Sequence, residues 1–421
     1  MTKFGFLEMP LNARGAIKRR CPMKFLLDWR RQVIFLAITL FLLFHANTSR
    51  GAEEAQCSDV WNRGHLNVLT INLALFEIAR RDDRLEHLAN FAETEAQDGE
   101  PIDFILLQEG VAGDLVETAG SPRDLRDKLE ERGLVYELKT AFETGIPGLL
   151  ATGNAILSRC DVHFKFFKFL PVTSEQIEIG GVGGVVIPIT RNVMMVRVKI
   201  PGAPKRFRKI NLYNTHLCAG SGGSVVIDGI DVTTTGCTVD EREEQLVSML
   251  KFVKNAERFF SFFGEKPHVL GGDFNIDNFR GDDPEHPEQF GNEKPLYDTI
   301  TGAGFIDAYA QSQMNNGISL QHLCAQSASP FEPFPNFIQN WEPDVHCTTG
   351  VSFWNRPNEL PFEEPFEAFF DTTPRRIDYV FQKGFVTGSG EVVFNPNASP
   401  PESDEPIVSD HAGVLVRILL Q

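Results

Sequence analysis

The chain has 421 residues, with 40 lysines and arginines against 57 aspartates and glutamates, so its formal net charge at pH 7 is −17. This acidity excludes a protein that binds polyanions through bulk electrostatics, because neutralising phosphates requires clustered lysine and arginine. The composition, with 42% hydrophobic and 23% charged residues, is that of a globular protein and excludes a disordered or collagen-like chain. Phenylalanine is abundant, with 35 residues against 5 tyrosines and 4 tryptophans, so most of the aromatic surface carries no hydrogen-bonding group.

The N-terminal segment, residues 1–52, differs in charge from the rest of the chain. It has a net charge of +7, which leaves −24 on the remainder. Arg30 and Arg31 precede an apolar run from Val33 to Phe44, and small and polar residues follow. This order is typical of a secretory signal peptide. The run is shorter than the roughly 20 residues that span a bilayer, so a cleaved signal and a secreted or periplasmic protein are favoured over an anchor made by an uncleaved signal.

The remaining chain alternates short apolar runs, which predict strands, with amphipathic stretches, which predict helices. Strands are predicted, in chain order, at 66–73, 102–108, 149–157, 193–200, 209–215, 268–272, 376–381 and 413–418. Helices are predicted at 81–97, 122–132 and 241–263. Strands that alternate with helices and hairpins predict an α/β fold in which mixed sheets are covered by helices.

One long segment, at about residues 280–370, interrupts this alternation. It is rich in proline, phenylalanine and acidic residues and has little regular periodicity. We interpret it as an insertion within a single catalytic domain that comprises residues 53–421. Its phenylalanines either pack beneath the insertion or form a surface that contacts an apolar substrate or a membrane, and the sequence does not distinguish the two.

Six cysteines follow the signal segment, which itself contains Cys21. An even number of cysteines in an oxidising compartment predicts disulfides. Short loops favour the pairs Cys218–Cys237 and Cys324–Cys347, which leaves Cys57–Cys160. A zinc site is disfavoured, because no two cysteines have the close spacing of zinc ligands.

Polar and acidic side chains follow the ends of several apolar strands, where they emerge from the edge of a sheet and can converge. Each strand end alone is weak evidence, because aspartate and asparagine often only begin turns. Taken together, the set predicts an active site. Its members are Asn72, Gln108, Glu109, Asn214, His216, Asp273, Asn275, Asp378, Asp410 and His411.

The oxygen donors of this set predict a site for a hard divalent cation. Glu109, Asp273 and Asp410, with Asn72 and Asn275, provide carboxylate and amide oxygens and no sulfur, which suits Mg²⁺ or Mn²⁺. Magnesium binds through only one or two carboxylates, so not every member need be a ligand. Histidines without a partnered serine or cysteine argue against acyl transfer. A hydrated metal beside histidine, aspartate and asparagine instead matches hydrolysis of a phosphate ester.

The ordered motifs TINL, LLQE, GNAILSR, NTHL, GGDFN, RRIDYVF and SDH resemble those of the endonuclease/exonuclease/phosphatase superfamily, which has the fold of pancreatic-type deoxyribonuclease. They extend over residues 66–418 in the order of the family. The resemblance implies an α/β fold with a two-layer mixed β-sandwich flanked by helices. It also implies a Mg²⁺-dependent phosphodiesterase or phosphatase, with Mn²⁺ as an alternative. Glu109 is then expected to hold the metal, with Asn72 and Asp410 beside it.

The resemblance also implies catalytic roles for five residues. His411 is expected to be the general base that activates water, oriented by Asp378. Asp273 and Asn275 are expected to position the nucleophile and the phosphate. His216 is expected to contact the phosphate or the leaving oxygen and to stabilise charge as it develops.

Family membership does not fix the substrate, because members hydrolyse DNA, RNA, phosphoinositides, nucleotides and sphingomyelin. The glycine-rich loop after NTHL, followed by Arg242, Gln245 and Leu246, resembles secreted bacterial sphingomyelinases, in which the double glycine Gly271–Gly272 also recurs. The acidity and the phenylalanines also suit a phospholipid with a neutral headgroup. We therefore expect a monomeric phospholipid hydrolase with transient membrane contact. A secreted endonuclease that acts on nucleic acid, and a catalytically silent binding module of the same fold, are the alternatives.

Overall fold

The computed structural model describes residues 57–73, 81–113, 120–146, 150–180, 184–220, 223–227, 230–261, 266–277, 293–318, 347–348, 376–394, 408–409 and 411–421. The helices of these residues are α1 (Ser58–Arg63), α2 (Arg81–Gln97), α3 (Ser121–Glu131), α4 (Val239–Ser261), α5 (Lys294–Gly302) and α6 (Ala308–Asn315). The strands are β1 (His65–Asn72), β2 (Phe104–Ala112), β3 (Glu137–Ile146), β4 (Leu150–Ser158), β5 (Val162–Phe169), β6 (Gln176–Ile179), β7 (Val185–Pro188), β8 (Asn192–Lys199), β9 (Lys209–His216), β10 (Gly223–Ile227), β11 (Ile230–Thr235), β12 (His268–Asp273), β13 (Ile306–Asp307), β14 (Asp378–Lys383), β15 (Val386–Val393) and β16 (Gly413–Leu419). None of these helices is long and apolar enough to cross a membrane.

Two mixed sheets of six strands each form the centre of the fold. The first sheet has the strand order β15-β16-β1-β2-β4-β3, and the second has the order β13-β14-β12-β9-β8-β5. A smaller sheet of four strands, with the order β10-β11-β6-β7, was not predicted from the sequence. The predicted two-layer mixed β-sandwich flanked by helices is confirmed.

The apolar residues of the strands divide between three core layers, because successive side chains of a strand point to opposite faces. Val68 of β1 and Leu212 of β9 lie in the layer between the two sheets. Leu69 of β1 packs on the other face, against α2 and α3. Tyr213 of β9 lies in the third layer, between the second sheet and the helices α4 and α5. Each sheet is therefore buried on both faces, which explains the continuous apolar runs in the sequence.

The predicted strands and helices are all present, with ends that differ by a few residues. Strands β3, β5, β6, β7, β10, β11, β13 and β15 and helices α1, α5 and α6 were not predicted. Residues 293–318 of the segment at 280–370 form α5, β13 and α6, and β13 pairs with β14 at the edge of the second sheet. Apart from these and residues 347–348, that segment lies outside the described residues, as does the predicted signal at 1–52.

Two of the three expected disulfides are present. Cys57 is bonded to Cys160 and joins the start of α1 to the loop after β4. Cys218 is bonded to Cys237 and closes the segment that follows β9. The third expected pair includes Cys324, which lies outside the described residues.

Gly272 occupies a position of β12 that only glycine can fill. Its φ angle is +140°, and a Cβ atom there would lie 1.9 Å from the carbonyl oxygen of Thr215 on the neighbouring strand. We expect Gly272→Ala to lower the free energy of unfolding by more than about 3 kcal/mol, because backbone strain and a backbone clash add. Gly99→Ala is the matched control, since Gly99 has a φ of +83° with nothing within 4 Å of the added Cβ. Urea unfolding of both variants checks this, and equal losses in the two would contradict it.

Candidate active site

Four expected site residues lie on the strand faces directed between the two sheets. Asn72 ends β1, His216 ends β9, Asp273 ends β12 and Asp378 begins β14. Asp273 is paired in register with His216 on one side and with Asp378 on the other, so the three are immediate neighbours on one face. All four side chains are buried. The convergence predicted from the strand ends is therefore present in the structure.

Glu109 reaches the same place through an irregularity in β2. Regular alternation would direct it to the same side as Leu107, which packs in the layer with α2 and α3. Instead, the pairing of β2 with β4 shifts between Leu107 and Gly110, and Glu109 has a φ angle of +52°. A β-bulge of this kind redirects a side chain. Oε1 of Glu109 accepts a hydrogen bond from Nδ2 of Asn72 at 3.3 Å.

His411 and Asp378 form a hydrogen-bonded pair. Nδ1 of His411 lies 2.8 Å from Oδ2 of Asp378, whose side chain is fully buried. A carboxylate only accepts, so Nδ1 carries the proton and Nε2 of the neutral ring is the basic nitrogen. Thr348 holds the backbone on both sides of this pair. Its Oγ1 accepts a hydrogen bond from the backbone N–H of Asp378 at 3.2 Å, and its carbonyl oxygen accepts one from the backbone N–H of Ala412 at 2.7 Å.

Asp273 lies between the metal-ligand candidates and this pair. Its Oδ2 accepts a hydrogen bond from Nδ2 of Asn72 at 3.0 Å, and its Oδ1 accepts from the backbone N–H of Asn275 at 2.8 Å. Burial, followed by the charge of the adjacent Asp378, raises the pKa of Asp273 to about 7, although His411 partly opposes the shift. Asp273 is therefore poised to exchange a proton near neutral pH.

Asn275 fixes the loop that follows β12. Its φ angle is +51°, a conformation that asparagine tolerates better than most residues. Its side-chain amide donates to the carbonyl of Leu217 at 3.0 Å, so it joins the loop after β12 to the residue that follows His216.

His216 is held by a buried arginine that was not predicted from the sequence. Nη1 of Arg191 donates to Nδ1 of His216 at 2.7 Å, so the proton of the neutral ring is on Nε2. Nε2 lies 3.7 Å from Oε1 of Glu109 and 3.5 Å from Oδ2 of Asp273. Burial, followed by the charges of Arg191 and His411, holds the pKa of His216 well below its ordinary value. The ring is therefore a neutral hydrogen-bond donor directed into the site.

Two buried carboxyl groups lie beside Arg191. Glu175 binds it through two hydrogen bonds of 2.9 and 2.5 Å, and Oε2 of Glu143 lies 3.7 Å from Nη1. Burial raises the pKa of Glu143 to about 8, and Arg191 only partly opposes that shift. Oε1 of Glu143 accepts from Nδ2 of Asn154 at 2.7 Å, which places the asparagine of the GNAILSR motif in this network.

Replacing Arg191 by methionine tests how much this network contributes to stability. We expect Arg191→Met to lower the free energy of unfolding by about 3–5 kcal/mol, because it leaves Glu175 as an uncompensated buried charge. Urea unfolding measures the loss, and Arg123→Met, at an exposed position of α3, is the control. A loss below about 1 kcal/mol for Arg191→Met would contradict the account of a buried ionic network.

A layer of amides joins the two sheets beneath the site. Nε2 of Gln108 donates to Oδ1 of Asn214 at 2.6 Å and to the hydroxyl of Thr70 at 3.2 Å. Nδ2 of Asn214 donates to the carbonyls of Leu107 and Ala155, each at 2.8 Å. These bonds fix the separation of the sheets where the site residues meet.

Arg242 and Gln245 also have structural partners. Nε of Arg242 donates to the carbonyl of Cys218 at 2.9 Å, and Oε1 of Gln245 accepts from the backbone N–H of Cys218 at 2.9 Å. Both side chains therefore fix the backbone two residues after His216. This contact explains their spacing on one face of α4 without reference to a substrate.

The residues present fit a hard divalent cation. Glu109 offers a partly exposed carboxylate, and Nδ2 of Asn72 faces both Glu109 and Asp273. Ligand atoms of Asp273, Asp378 and His411 also lie within 4.8 Å of one another. Oδ1 of Asp378 is buried and has no hydrogen-bond partner among the described residues. Within that second group, Nδ1 of His411 is already bonded to Asp378.

The structure thus brings together all but one of the eight predicted catalytic and metal-binding residues. The exception is Asp410, which lies outside the described residues. Sequence reasoning missed Arg191, Glu143 and Glu175, which surround His216, and Thr348 beneath Asp378. Arg191 directly precedes the apolar strand β8, so it could have been found by the same inspection of strand ends.

The model of the endonuclease/exonuclease/phosphatase family matches residues 67–411. An endonuclease/exonuclease/phosphatase from Beutenbergia cavernae is 20% identical, with a TM-score of 0.50 over 85% of this chain and 72% of that one. A protein of the same description from Bacteroides vulgatus is 16% identical, with a TM-score of 0.46 over 85% of this chain and 99% of that one. A humanized TDP2 from D. rerio is 17% identical, with a TM-score of 0.42 over 84% and 99% of the two chains. Among curated proteins, none matches closely enough to count as a relative. At these identities, the likeness to the Beutenbergia cavernae structure concerns the fold alone.

Proposed function

Because the chain belongs to the endonuclease/exonuclease/phosphatase family, we propose that it is a divalent-metal-dependent phosphodiesterase that hydrolyses phospholipid headgroups in the manner of a neutral sphingomyelinase. Hydrolysis of phosphate esters in general is the chemistry of the family. The observation that carries the proposal is the grouping of His411, Asp378, Asp273, His216 and Glu109 at one end of the two sheets. The grouping also argues against a silent binding module, which has no need of a histidine held as a base.

His411 is the general base in this proposal. Asp378 holds the Nδ1 proton, so Nε2 can accept a proton from a water molecule as it attacks the phosphorus. The buried carboxylate also stabilises the imidazolium that forms. Thr348 fixes the backbone on both sides of the pair and thereby its orientation.

Asp273, with Asn275, positions the attacking water and the phosphate. The pKa of Asp273 near 7 allows it to accept or donate a hydrogen bond at neutral pH. Asn72 joins Asp273 to Glu109 and so keeps the two carboxylates at a fixed separation.

His216 stabilises charge on the phosphate or on the leaving oxygen. Its Nε2–H is directed towards the centre of the site, and Arg191 prevents the ring from turning. A neutral donor of this kind strengthens its hydrogen bond as negative charge develops in the transition state.

The divalent cation would be held by Glu109 and Asn72, together with Asp410. When bound, Mg²⁺ or Mn²⁺ supplies positive charge next to the phosphate oxygens and lowers the pKa of a bound water. Proton transfer and the positioning of water and phosphate are carried out by side chains of the protein.

The distribution of charge and apolar surface favours a phospholipid over a nucleic acid. A nuclease is expected to have a basic face around its metal. Among the described residues, the basic run of Lys205, Arg206 and Arg208 lies in the loop between β8 and β9, at the opposite end of β9 from His216, and the lysines nearer the site, Lys165 and Lys168, alternate with phenylalanines on β5. Phe167 and Phe169, near the site end of β5, are instead exposed.

Two properties of the chain support export. The two disulfides Cys57–Cys160 and Cys218–Cys237 are consistent with an oxidising compartment. The predicted signal at residues 1–52 would direct the chain there, so we propose a secreted or periplasmic location.

Parallel assays on three substrates test the proposed specificity. The purified chain, with Mg²⁺, is incubated with sphingomyelin vesicles, phosphoinositide vesicles and plasmid DNA. We expect release of phosphorylated headgroup from sphingomyelin at a rate well above any nicking of the plasmid. Faster cleavage of DNA than of either lipid would replace the phospholipid proposal by the endonuclease alternative.

A further inference from the structure

Strand β5 exposes an unusual number of phenylalanines. It is the last strand of the second sheet, and its sequence is VHFKFFKF. The exposed fractions of Phe164, Phe166, Phe167 and Phe169 are 38%, 45%, 45% and 49%. We call these four residues, with Lys165 and Lys168, the β5 edge. Soluble monomers rarely expose clusters of large apolar side chains without a binding function.

The phenylalanines are exposed on both faces of the sheet. Phe166 is paired with Met195, which packs in the layer beneath α4, and Phe167 is paired with Met194, which packs between the sheets. The methionines are buried, and the phenylalanines beside them are not. The rings instead contact one another, with centroids 6.3 Å apart for Phe164 and Phe166 and 5.5 Å apart for Phe167 and Phe169. Each core layer therefore ends in an aromatic pair that faces outwards.

The β5 edge extends to the end of the sheet where the active site lies. Phe169 is paired with Asn192, the residue next to Arg191, and the N–H of Leu170 donates to the carbonyl of Arg191 at 2.8 Å. Arg191 in turn holds His216. One hydrogen-bonded connection thus links the last phenylalanine of the edge to a side chain of the site.

The charge of the β5 edge is opposite to that of the whole chain. Lys165 and Lys168 alternate with the phenylalanines, and β5 contains no acidic residue, whereas the chain carries −17. Burial, and then the charge of the neighbouring Lys139, lower the pKa of Lys165, and Lys139 is itself paired with Glu137 at 2.5 Å. Nζ of Lys165 donates to the carbonyl of Thr140 at 2.7 Å and Nζ of Lys168 donates to Oγ of Ser248 at 2.6 Å, so each ammonium has further N–H donors for a phosphate. Phenylalanines interleaved with lysines match a lipid surface, where the rings enter the interface and the cations contact phosphates.

Protection of an edge strand accounts for only part of this pattern. Lysines on an edge strand prevent pairing with another chain, and Lys165 and Lys168 suffice for that purpose. Four exposed phenylalanines have the opposite effect, because they favour association. The combination therefore requires a partner that accepts both aromatic rings and positive charge.

We propose that the β5 edge is the surface through which this protein rests on a phospholipid bilayer or micelle, with Phe169 nearest the active site. The functional role of this membrane contact rests on the proposed phospholipid substrate, because the contact would bring the active site to headgroups in the membrane surface. The binding itself needs no turnover and can be measured in EDTA.

Vesicle sedimentation in EDTA is the test, with the whole purified chain and vesicles of phosphatidylcholine with and without phosphatidylserine. We expect wild-type protein to bind, and more strongly when phosphatidylserine is present. The variant F166S/F167S/F169S is expected to lose at least about tenfold in partition coefficient, because it removes the apolar area that enters the interface. The charge reversals Lys165→Glu and Lys168→Glu are each expected to cost about fivefold on vesicles with phosphatidylserine.

The control variant is I306S/M314S/V386S. These three side chains are exposed to a similar degree, and they lie on β13, α6 and β15, away from β5. The control is expected to bind vesicles like wild type. Equal losses in the two triple variants, or no vesicle binding by wild type, would overturn the proposal. Two other results would also overturn it, each in the absence of vesicle binding. One is a wild-type dimer on size exclusion that F166S/F167S/F169S does not form. The other is binding of single-stranded DNA that this variant loses.

Hydrolysis of bis-p-nitrophenyl phosphate separates this inference from the proposed function. The substrate is soluble, so F166S/F167S/F169S is expected to hydrolyse it at the wild-type rate. Vesicle binding without any turnover would contradict the proposed enzymatic function and support the membrane-binding role of the β5 edge. Turnover without vesicle binding would contradict the membrane-binding role and support the enzymatic function.

Discussion

Replacing His411 by alanine is expected to lower kcat for bis-p-nitrophenyl phosphate by about 10²–10⁴-fold, because loss of a general base typically has this effect. His411 is the histidine whose Nδ1 is fixed by a fully buried carboxylate, at 2.8 Å from Asp378. Its Nε2 is therefore the basic nitrogen at the site. KM is expected to change much less than kcat, because the base acts on water rather than on the substrate.

Two further variants make this result specific. Asp378→Asn should also lower kcat, because an amide no longer fixes the tautomer of His411. His163→Ala, at an exposed histidine of β5, should leave kcat unchanged. Retention of more than about a tenth of wild-type turnover by His411→Ala, with the fold intact by circular dichroism, would show that another group is the base.

Replacing Glu109 by glutamine is expected to lower turnover at a fixed Mg²⁺ concentration by about 10²–10³-fold. The substitution keeps the shape of the side chain and the contact with Asn72 but removes the negative charge that the bulge in β2 directs into the site. Part of the loss should be recovered at high Mg²⁺, because the affinity for the cation falls. Titration of activity with Mg²⁺, together with calorimetric titration of the metal alone, measures both effects.

The matched control for Glu109→Gln is Glu131→Gln, at an exposed position at the end of α3. It removes the same charge from the chain far from the site and should change neither turnover nor metal affinity. An unchanged Mg²⁺ titration in Glu109→Gln would move the metal to the neighbouring group of Asp273, Asp378 and His411.

The sequence predicted the site because the site residues obey the alternation of the strands. Asn72, His216, Asp273 and Asp378 each fall on the same side of their strand as residues of the layer between the sheets. Strand ends followed by polar residues therefore identify them without any knowledge of tertiary contacts. Glu109 breaks the alternation, and it was identified because it directly follows the strand predicted at 102–108 and belongs to the LLQE motif.

Of the residues around His216, Arg191 lies at the end of a predicted strand, but Glu143 and Glu175 could not be predicted in this way. Arg191 directly precedes β8, Glu143 lies in β3, and Glu175 lies in the loop before β6. Their contacts are made between distant parts of the chain. Strand β3 was missed because its sequence, ELKTAFETGI, alternates weakly and contains charged residues. Without that strand, Glu143 had no position in the expected fold.

The abundance of phenylalanine now has a partial structural explanation. Some rings, such as Phe274 and Phe381, pack together beneath the second sheet with centroids 5.2 Å apart. Others lie on the exposed edge of β5. This strand was not predicted because its lysines interrupt the apolar run and give it the pattern of a surface segment. Many of the remainder belong to the segment at 280–370, most of which lies outside the described residues. For those residues, as for Asp410, Cys324 and the signal at 1–52, the sequence predictions stand as predictions.

The central claim is that the grouping around His411 and Glu109 is a metal-dependent phosphodiesterase site. The most direct measurement is the hydrolysis of bis-p-nitrophenyl phosphate by the chain after treatment with EDTA, followed by addition of Mg²⁺, Mn²⁺, Ca²⁺ or Zn²⁺ in separate reactions. The account predicts no turnover in EDTA and recovery with Mg²⁺ or Mn²⁺, in wild type but not in His411→Ala. Turnover that persists in EDTA, or no turnover with any of the four ions, would contradict it.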